Sequence, residues 1–191
     1  REGRDAYDLL TAAAATAPIG SEGLVFLPYL SGERTPHPDP LARGAFVGLN
    51  IRHGKEHLTR AVLEGITFGL RDSLELMRAS SVDIRELRLS GGGARSPFWR
   101  QMIADVFRCP AVTVNSTDGP AYGAAVMAAS GVLGADIPQL CEAWIRVVDR
   151  SEPDEGRARR YEDVYTVYRG LYSSLREAFH RLSEIASSET T

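Results

Sequence analysis

A short strand, three consecutive glycines and a helix follow one another at residues 87–107, and this junction constrains the fold more than any other stretch. The segment reads LRLSGGGARSPFWRQMIADVF. A second junction of small residues lies at residues 118–125 and reads DGPAYGAA. It follows the β-branched strand AVTVN. Strands that alternate with helices in this order predict an α/β fold with parallel strand pairs.

The segments before this junction are shorter and more irregular. An Ala-rich helix is predicted to end before Pro18, and Asp5 is a candidate for its N-cap. Short apolar runs predict strands at residues 23–30 and 44–49, and Pro28 places the first of them at an edge or a bulge. The Pro-rich residues between the two strands predict a loop, because proline cannot continue a strand ladder.

Two segments predict long helices. Apolar residues recur at helical spacing over residues 55–79, and Gly65 within this helix lets another backbone approach closely. The buried face is expected to hold Leu58, Val62, Ile66 and Leu74. A second apolar stripe, which includes four tyrosines, predicts a long amphipathic tail helix over residues 154–186. We therefore treat residues 1–191 as one unit that ends in this tail helix.

The composition is that of an ordinary globular domain and excludes several classes of function. The chain has 191 residues and a net charge of −3 without a basic stripe, so nucleic acid is not an expected partner. Gly, Pro or charged residues interrupt every apolar run before it reaches membrane-spanning length, so no membrane partner is expected. Cys109, Cys141 and the four histidines show neither disulfide-framework nor metal-ligand spacing. A reducing cytoplasm fits this pattern best.

The glycine run has two interpretations. It is either a tight turn that needs a positive φ or a surface on which a planar or anionic ligand lies against the backbone. The sequence matches neither a Walker A loop nor the G-x-G-x-x-G dinucleotide motif. Ser96 as N-cap and Pro97 as first helical residue place a helix N-terminus beside the glycines. The free N–H groups of that helix, next to the small side chains of residues 91–94, favour a phosphate or a base.

Other residues have a structural interpretation that competes with a functional one. Glu33 and Arg34 form either a solvated pair in the Pro-rich loop or part of a lobe interface near phosphates. Asp118 either starts the helix that follows it or touches Mg²⁺ or ribose. Phe98 and Trp99 are expected to lie in the core. The tail tyrosines are expected in the core or in an interface, and the four histidines are expected at the surface.

Four motifs resemble those of one known family. GAFVGLNIRHGKEHLTRAVLE at residues 44–64 is similar to the C-terminal signature of the FGGY carbohydrate kinases. FLPYLSGERTPHPDPLARG, SGGGARSPFWRQMIADV and GPAYGAA also resemble segments of this family, most closely those of its xylulose-phosphorylating members. The resemblance is strong over residues 23–131 and looser in the tail.

The resemblance implies a ribonuclease-H-like lobe of the actin and Hsp70 superclass, namely the C-terminal lobe of a two-lobed kinase that uses ATP and Mg²⁺. The reaction that it implies is phosphorylation of D-xylulose, or a related pentulose, by ATP. In this family the glycine segment of the second lobe carries the adenosine. The implied ATP-binding residues are therefore Gly91, Gly92, Gly93, Ala94 and Ser96.

The chain departs from the family pattern at its beginning. A D-x-G-T phosphate loop and the aspartate that deprotonates the sugar hydroxyl belong to the family's first lobe, and the sequence contains no such loop. The lobe is therefore expected to be incomplete at its N-terminus, no catalytic residue is assigned, and the chain alone is expected to be inactive. The sugar would bind through the other lobe. The alternative is a non-catalytic interaction module that forms homodimers through the tail helix and has a purely structural glycine turn.

Overall fold

The computed structural model describes residues 5–116 and 118–188. Along these residues the elements are α1 (Ala6–Ala14), β1 (Val25–Leu27), β2 (Ala45–Val47), α2 (Lys55–Ala79), β3 (Leu87–Leu89), α3 (Pro97–Phe107), β4 (Ala111–Val114), α4 (Gly119–Leu133), α5 (Ile137–Trp144), β5 (Val147–Ser151) and α6 (Glu155–Ser188). β1 and β2 form a two-stranded ribbon, and β3, β4 and β5 form a sheet in that order. The predicted α/β class is confirmed.

The two-stranded ribbon packs directly against α2. β1 pairs with β2 in antiparallel orientation, with Phe26 opposite Phe46. Both strands lie inside the predicted runs but are only three residues long, and β1 ends directly before Pro28. Gly65 of α2 faces the ribbon, where a Cβ would overlap the carbonyl oxygen of Phe26. The close backbone approach expected at Gly65 is therefore present.

The three-stranded sheet carries both small-residue junctions. β3 and β4 are parallel, with Leu87 opposite Ala111, as the alternation of strands and helices predicts. β5 is antiparallel to β4, with Ser151 opposite Ala111. Neither β5 nor α5 follows from the sequence patterns above. Because β3 and β4 are parallel, their carboxyl ends lie at the same edge, which brings the glycine run close to Asp118.

The buried face of α2 differs from the predicted one. Of the four predicted residues only Leu74 is buried. The other three, Leu58, Val62 and Ile66, are half-buried. Phe68, at 1% exposure, is the most buried large apolar side chain of the helix, and its ring contacts tyrosine rings of α6. The prediction is right for Leu74 and only partly right for the other three, because α2 also buries charged residues, which a hydrophobic pattern does not register.

A buried ion pair in α2 joins several segments. Arg60 Nε donates to Glu64 Oε1 at 2.7 Å, and both side chains are buried. The terminal nitrogens of Arg60 donate to the carbonyl of Ala17 and to the hydroxyl of Tyr161. The N–H of Gly20 also donates to Glu64 Oε1. Burial raises the pKa of Glu64, although the bonds from Arg60 and Gly20 oppose this shift. The pair thus connects the segment after α1, the turn before β1 and α6 to α2.

The long tail helix is present as α6, close to the predicted residues 154–186. Its apolar stripe lies in the core of this chain, where five aromatic residues are 9% exposed or less: Tyr161, Tyr165, Tyr168, Tyr172 and Phe179. Near the end of the helix Leu182 and Ile185 are 59% and 45% exposed, so the stripe leaves the core there. The tail tyrosines are therefore core residues.

Across residues 5–116 and 118–188, no helix is both long and apolar enough to span a membrane. Cys109 is buried, Cys141 is half-buried, and both are free thiols.

Candidate functional site

The glycine run forms a compact turn between β3 and α3. Gly91 follows the strand with a φ of +82°, a conformation that residues with a side chain rarely adopt. Gly92–Arg95 then form one 3₁₀ turn. The N–H of Ala94 donates to the carbonyl of Gly91 at 3.2 Å, and the N–H of Ser96 donates to that of Gly93 at 3.3 Å. The backbone of this turn is therefore held by local bonds, and α3 follows directly.

The three glycines have different surroundings. A Cβ at Gly91 or Gly92 would meet no atom within 4 Å, so both face open space. A Cβ at Gly93 would overlap the ring of Trp99, at 2.9 Å from Cε3. Among the three, only Gly91 has a positive φ. Backbone conformation thus explains glycine at 91 and packing explains glycine at 93. At 92 neither reason applies, and the open face is available to a ligand.

The start of α3 is capped as predicted. Ser96 Oγ accepts a hydrogen bond from the N–H of Trp99 at 3.3 Å, and Pro97 occupies the first helical position. Because proline has no N–H and the N–H of Trp99 is bound, the helix N-terminus offers fewer free donors than the sequence predicts. Ser96 Oγ is the acceptor in this bond, so its own hydrogen can be donated to a ligand.

A polar crevice lies between the glycine turn and the start of α4. It has a volume of about 450 Å³, and its walls are residues 90–92, Arg95 and residues 118–120. Asp118 Oδ1 accepts from the N–H of Ala121 at 3.2 Å, so this carboxylate caps α4. The structural interpretation of Asp118 is confirmed. The two junctions also line one crevice, as their positions at the ends of parallel strands predict.

A larger cavity of about 570 Å³ lies on the other side of the turn, against α1 and α2. Gly92 and Arg95 line both cavities, so the turn forms the wall between them. Val62 and Ile66 of α2 line the larger one, which explains why this apolar face of the helix is only half-buried. The site predicted from the sequence omits Arg95 and Trp99, although both lie within the segment GGGARSPFW.

The Pro-rich loop is shaped by its own side chains. Glu33 Oε1 accepts from the N–H groups of Arg34 and Thr35, at 2.6 and 3.0 Å. The backbones of Glu33 and Asp39 exchange two hydrogen bonds, which close the loop. None of these residues lines either cavity of the glycine turn. The functional interpretation of Glu33 and Arg34 therefore gains no support from the geometry.

All four histidines are more enclosed than expected, because one is buried and three are half-buried. His57 is 9% exposed, and His37 stacks on Tyr172 with ring centroids 3.8 Å apart. Burial lowers the pKa of His37. His180 Nε2 lies 2.8 Å from Asp39 Oδ2. In the part of the chain that the structure describes, no group of three or more His, Cys, Asp or Glu side chains could hold a metal ion.

The chain matches a known domain family along most of its length. Residues 1–132 match the model of the C-terminal domain of the FGGY family of carbohydrate kinases. Curated relatives include xylulose kinases of Staphylococcus epidermidis, 38% identical over 174 residues, and of Escherichia coli, 40% identical over 173 residues. These alignments cover 91% and 87% of this chain but 35% and 34% of the relatives. The chain thus spans about a third of the length of the curated relatives that it matches.

Solved structures show the same arrangement of elements. A ligand-bound xylulose kinase from Lactobacillus acidophilus has a TM-score of 0.83 at 32% identity, over 91% of this chain and 35% of that one. A gluconate kinase from the same organism has a TM-score of 0.84 at 30% identity, over 94% of this chain and 37% of that one. Family model, curated relatives and fold agree with the four sequence motifs. The chain therefore belongs to the FGGY family of carbohydrate kinases, and its residues 1–132 match their C-terminal domain.

Proposed function

We propose that this chain is the ATP-binding lobe of a sugar kinase that phosphorylates D-xylulose or a related pentulose. The observation that carries the proposal is the open face of Gly92, which lies between two cavities. A purely structural turn does not need glycine at this position, because the φ of Gly92 is not positive and no atom would meet its Cβ. Room for a ligand is the reason that remains.

The residues around the turn fit a nucleoside triphosphate. The bare backbone of residues 91–94 would let a base or a ribose lie at van der Waals distance. Ser96 would donate its hydroxyl hydrogen to the edge of the base. Arg95 lines both cavities, and a guanidinium group suits phosphate or ribose oxygens. The apolar side chains of α1 and α2 would give the base a nonpolar wall.

The sugar and the metal rest on the comparisons rather than on residues of this chain. The curated xylulose kinases support D-xylulose, and the similar fold of a gluconate kinase makes gluconate the first competing substrate to assay. Mg²⁺ would enter with ATP, because kinase sites bind this ion largely through substrate phosphates. We assign no described side chain to it. A cytoplasmic location belongs to the same proposal, since the reaction draws on cellular ATP.

The alternative, an interaction module that dimerises through the tail helix, has less support. The tyrosine stripe that suggested it packs inside this chain, with Tyr161 and Tyr168 at 2% and 1% exposure. A stripe that is already buried offers little apolar surface to a second copy. A homodimer of the kinase is a separate proposal, which light scattering of the purified chain would test.

Binding of ATP to the chain tests the proposed function. We expect ATP and ADP to change the fluorescence of Trp99, measured in a Trp144→Phe background that leaves one tryptophan. Gly92→Val should weaken binding at least about tenfold at an unchanged melting temperature, because the new side chain enters open space.

Gly170→Val is the matched control, since a Cβ at Gly170 of α6 also meets no atom within 4 Å and lies outside both cavities. Two outcomes would contradict the proposal. One is a parent chain that binds no ATP at millimolar nucleotide, and the other is a folded Gly92→Val variant with the ATP affinity of the parent.

A further inference from the structure

Trp99 contacts the glycine turn and α2 at the same time. Its ring lies where a Cβ of Gly93 would be, with Cε3 at 2.9 Å and Cη2 at 3.2 Å from that position. Its indole Nε1–H donates to Thr67 Oγ1 of α2 at 2.9 Å. Its backbone N–H donates to Ser96 Oγ, at the end of the turn. One residue therefore connects the middle and the end of the turn to a long helix.

We propose that Trp99 is a positioning residue for the nucleotide. It fixes the backbone of Gly93 and, through it, the open face of Gly92. The inference rests on the proposed function, because it concerns the same turn. It also divides the glycine run by role: residue 91 is glycine for its φ, residue 92 for the ligand and residue 93 for the indole.

Thr67 holds the indole in place. This threonine is fully buried, at 0% exposure. Its Oγ1 donates to the carbonyl of Leu63 at 2.7 Å, one helical turn back, and accepts from Trp99. A hydroxyl group that donates on one side and accepts on the other cannot rotate without losing a bond. The plane of the indole is thus set by α2, a 25-residue helix, rather than by the loop itself.

A fixed turn matters for affinity because glycine has the widest conformational range of any residue. Gly91 and Gly92 face open space, so no packing contact on that side restrains their backbone. Without the indole below, the turn would adopt more conformations, and ATP would have to order it on binding. We therefore expect weaker ATP binding whenever the contact with Trp99 is loosened, even where the lobe stays folded.

A double-mutant cycle between residues 93 and 99 tests the packing step. Gly93→Ala should lower the melting temperature by about 5 °C, because the new methyl group overlaps the indole. The same change should be nearly neutral in a Trp99→Leu background, where the smaller side chain leaves room. Trp99→Phe, whose ring is shorter, is the second background if Trp99→Leu does not fold. Equal shifts in all backgrounds would refute the contact.

The Thr67 anchor gives the second test. Thr67→Val keeps the shape of the side chain but removes the acceptor, and it should raise the Kd for ATP about five- to tenfold at a temperature where every variant is folded. Thr67→Ser restores the hydroxyl group and should recover most of the affinity. Thr166→Val is the matched control, because Thr166 Oγ1 of α6 makes the same kind of intrahelical bond, to the Glu162 carbonyl, without a tryptophan partner.

The outcomes separate this inference from the proposed function. Isothermal titration calorimetry measures ATP binding here, because Trp99→Phe lacks the fluorescent reporter. If the parent chain binds ATP and both Thr67→Val and Trp99→Phe bind it equally well, the positioning role is overturned and the proposed function stands. If the parent chain binds no ATP, the proposed function fails, and the positioning role fails with it whatever the double-mutant cycle gives.

Discussion

Asp39 shows how one carboxylate fastens an irregular loop to a helix. It is 6% exposed and accepts from the N–H of Leu41 and from the hydroxyl of Tyr172, each at 2.9 Å. His180 Nε2 lies 2.8 Å from the same carboxylate. Burial alone would raise the pKa of Asp39, but these hydrogen bonds outweigh it and lower the pKa to about 2. The loop between β1 and β2 is thus attached to α6 through an ionised group.

The lowered pKa makes the contribution of Asp39 to stability depend on pH. Because the folded pKa of about 2 lies below the ordinary 3.8, the stabilisation is complete above pH 4 or so and is lost as the pH falls toward 2. We expect Asp39→Asn to lower the free energy of unfolding by about 2 kcal/mol at pH 6. The difference from the parent should shrink below pH 4.

Urea denaturation of parent and variant between pH 2 and pH 6 measures the difference in their free energies of unfolding. Groups that titrate in the same way in both proteins contribute equally and cancel in this difference. Asp83→Asn is the control, since Asp83 pairs with Arg85 at the surface and is 69% exposed. The effect of Asp83→Asn on the free energy of unfolding should stay near zero at every pH. A penalty for Asp39→Asn that is constant from pH 6 to pH 2 would show that the carboxylate is not the group responsible.

At the residue scale, the sequence predicts contacts between neighbours and misses those between distant segments. Ser96 and Asp118 cap their helices as predicted, because a cap depends only on the three residues that follow it. Asp39 and His180 are 141 positions apart, and no local pattern predicts that they meet. The expectation of a surface position therefore misses the contact of the half-buried His180 with Asp39.

At the scale of elements, the contact between α2 and α6 is built from aromatic rings. The ring of Phe68 lies 6.3, 5.6 and 5.3 Å, between centroids, from those of Tyr161, Tyr165 and Tyr168. Arg71 Cζ lies 4.0 Å from the ring centroid of Tyr165. Because charged residues share this face of α2, a search for apolar periodicity selects the neighbouring face, which lines the larger cavity.

Two elements have no clear signal in the sequence. β5 reads VVDRS and is exposed at its first four positions, so it lacks the alternation that marks a half-buried strand. Its pairing with β4 defines it instead. α5 has eight residues and buries only Leu140, so its periodicity is too short to recognise. By contrast, the 25 residues of α2 and the 34 of α6 carry enough turns for their extents to be predicted.

Truncation of Phe68 tests which face of α2 is the core face. Phe68→Ala should lower the free energy of unfolding by about 3–5 kcal/mol, because it leaves a cavity among three tyrosine rings. Leu70→Ala, two positions away and 51% exposed in the parent, should cost less than about 0.5 kcal/mol. Chemical denaturation of both variants measures the contrast. Similar penalties for the two would mean that α2 is rotated relative to this description.

At the scale of the whole molecule, the proposed function makes this chain one side of a phosphoryl-transfer site. Such a transfer needs the acceptor, a metal ion and the γ-phosphoryl group in line, together with a group that takes the proton. In the proposed function the glycine turn and Arg95, which line the two cavities, would contact the nucleotide. The family resemblance implies that the other lobe supplies the catalytic base and the sugar contacts. The four motifs in family order predict the fold of this lobe correctly, whereas periodicity alone does not identify the buried face of α2. The reason is that a family match carries tertiary information that local periodicity lacks.

We therefore expect the purified 191-residue chain to bind ATP and to show no sugar-dependent turnover. An assay that couples ADP release to a dehydrogenase, with D-xylulose and then gluconate as acceptor, measures this, and the Escherichia coli xylulose kinase is the positive control. Alignment of the reacting groups is central to phosphoryl transfer, so if the other lobe supplies the general base, as the resemblance implies, this chain should remain at background. ADP release that requires sugar, elutes with the chain in size-exclusion chromatography and disappears in Gly92→Val would show instead that the chain itself contains the catalytic group.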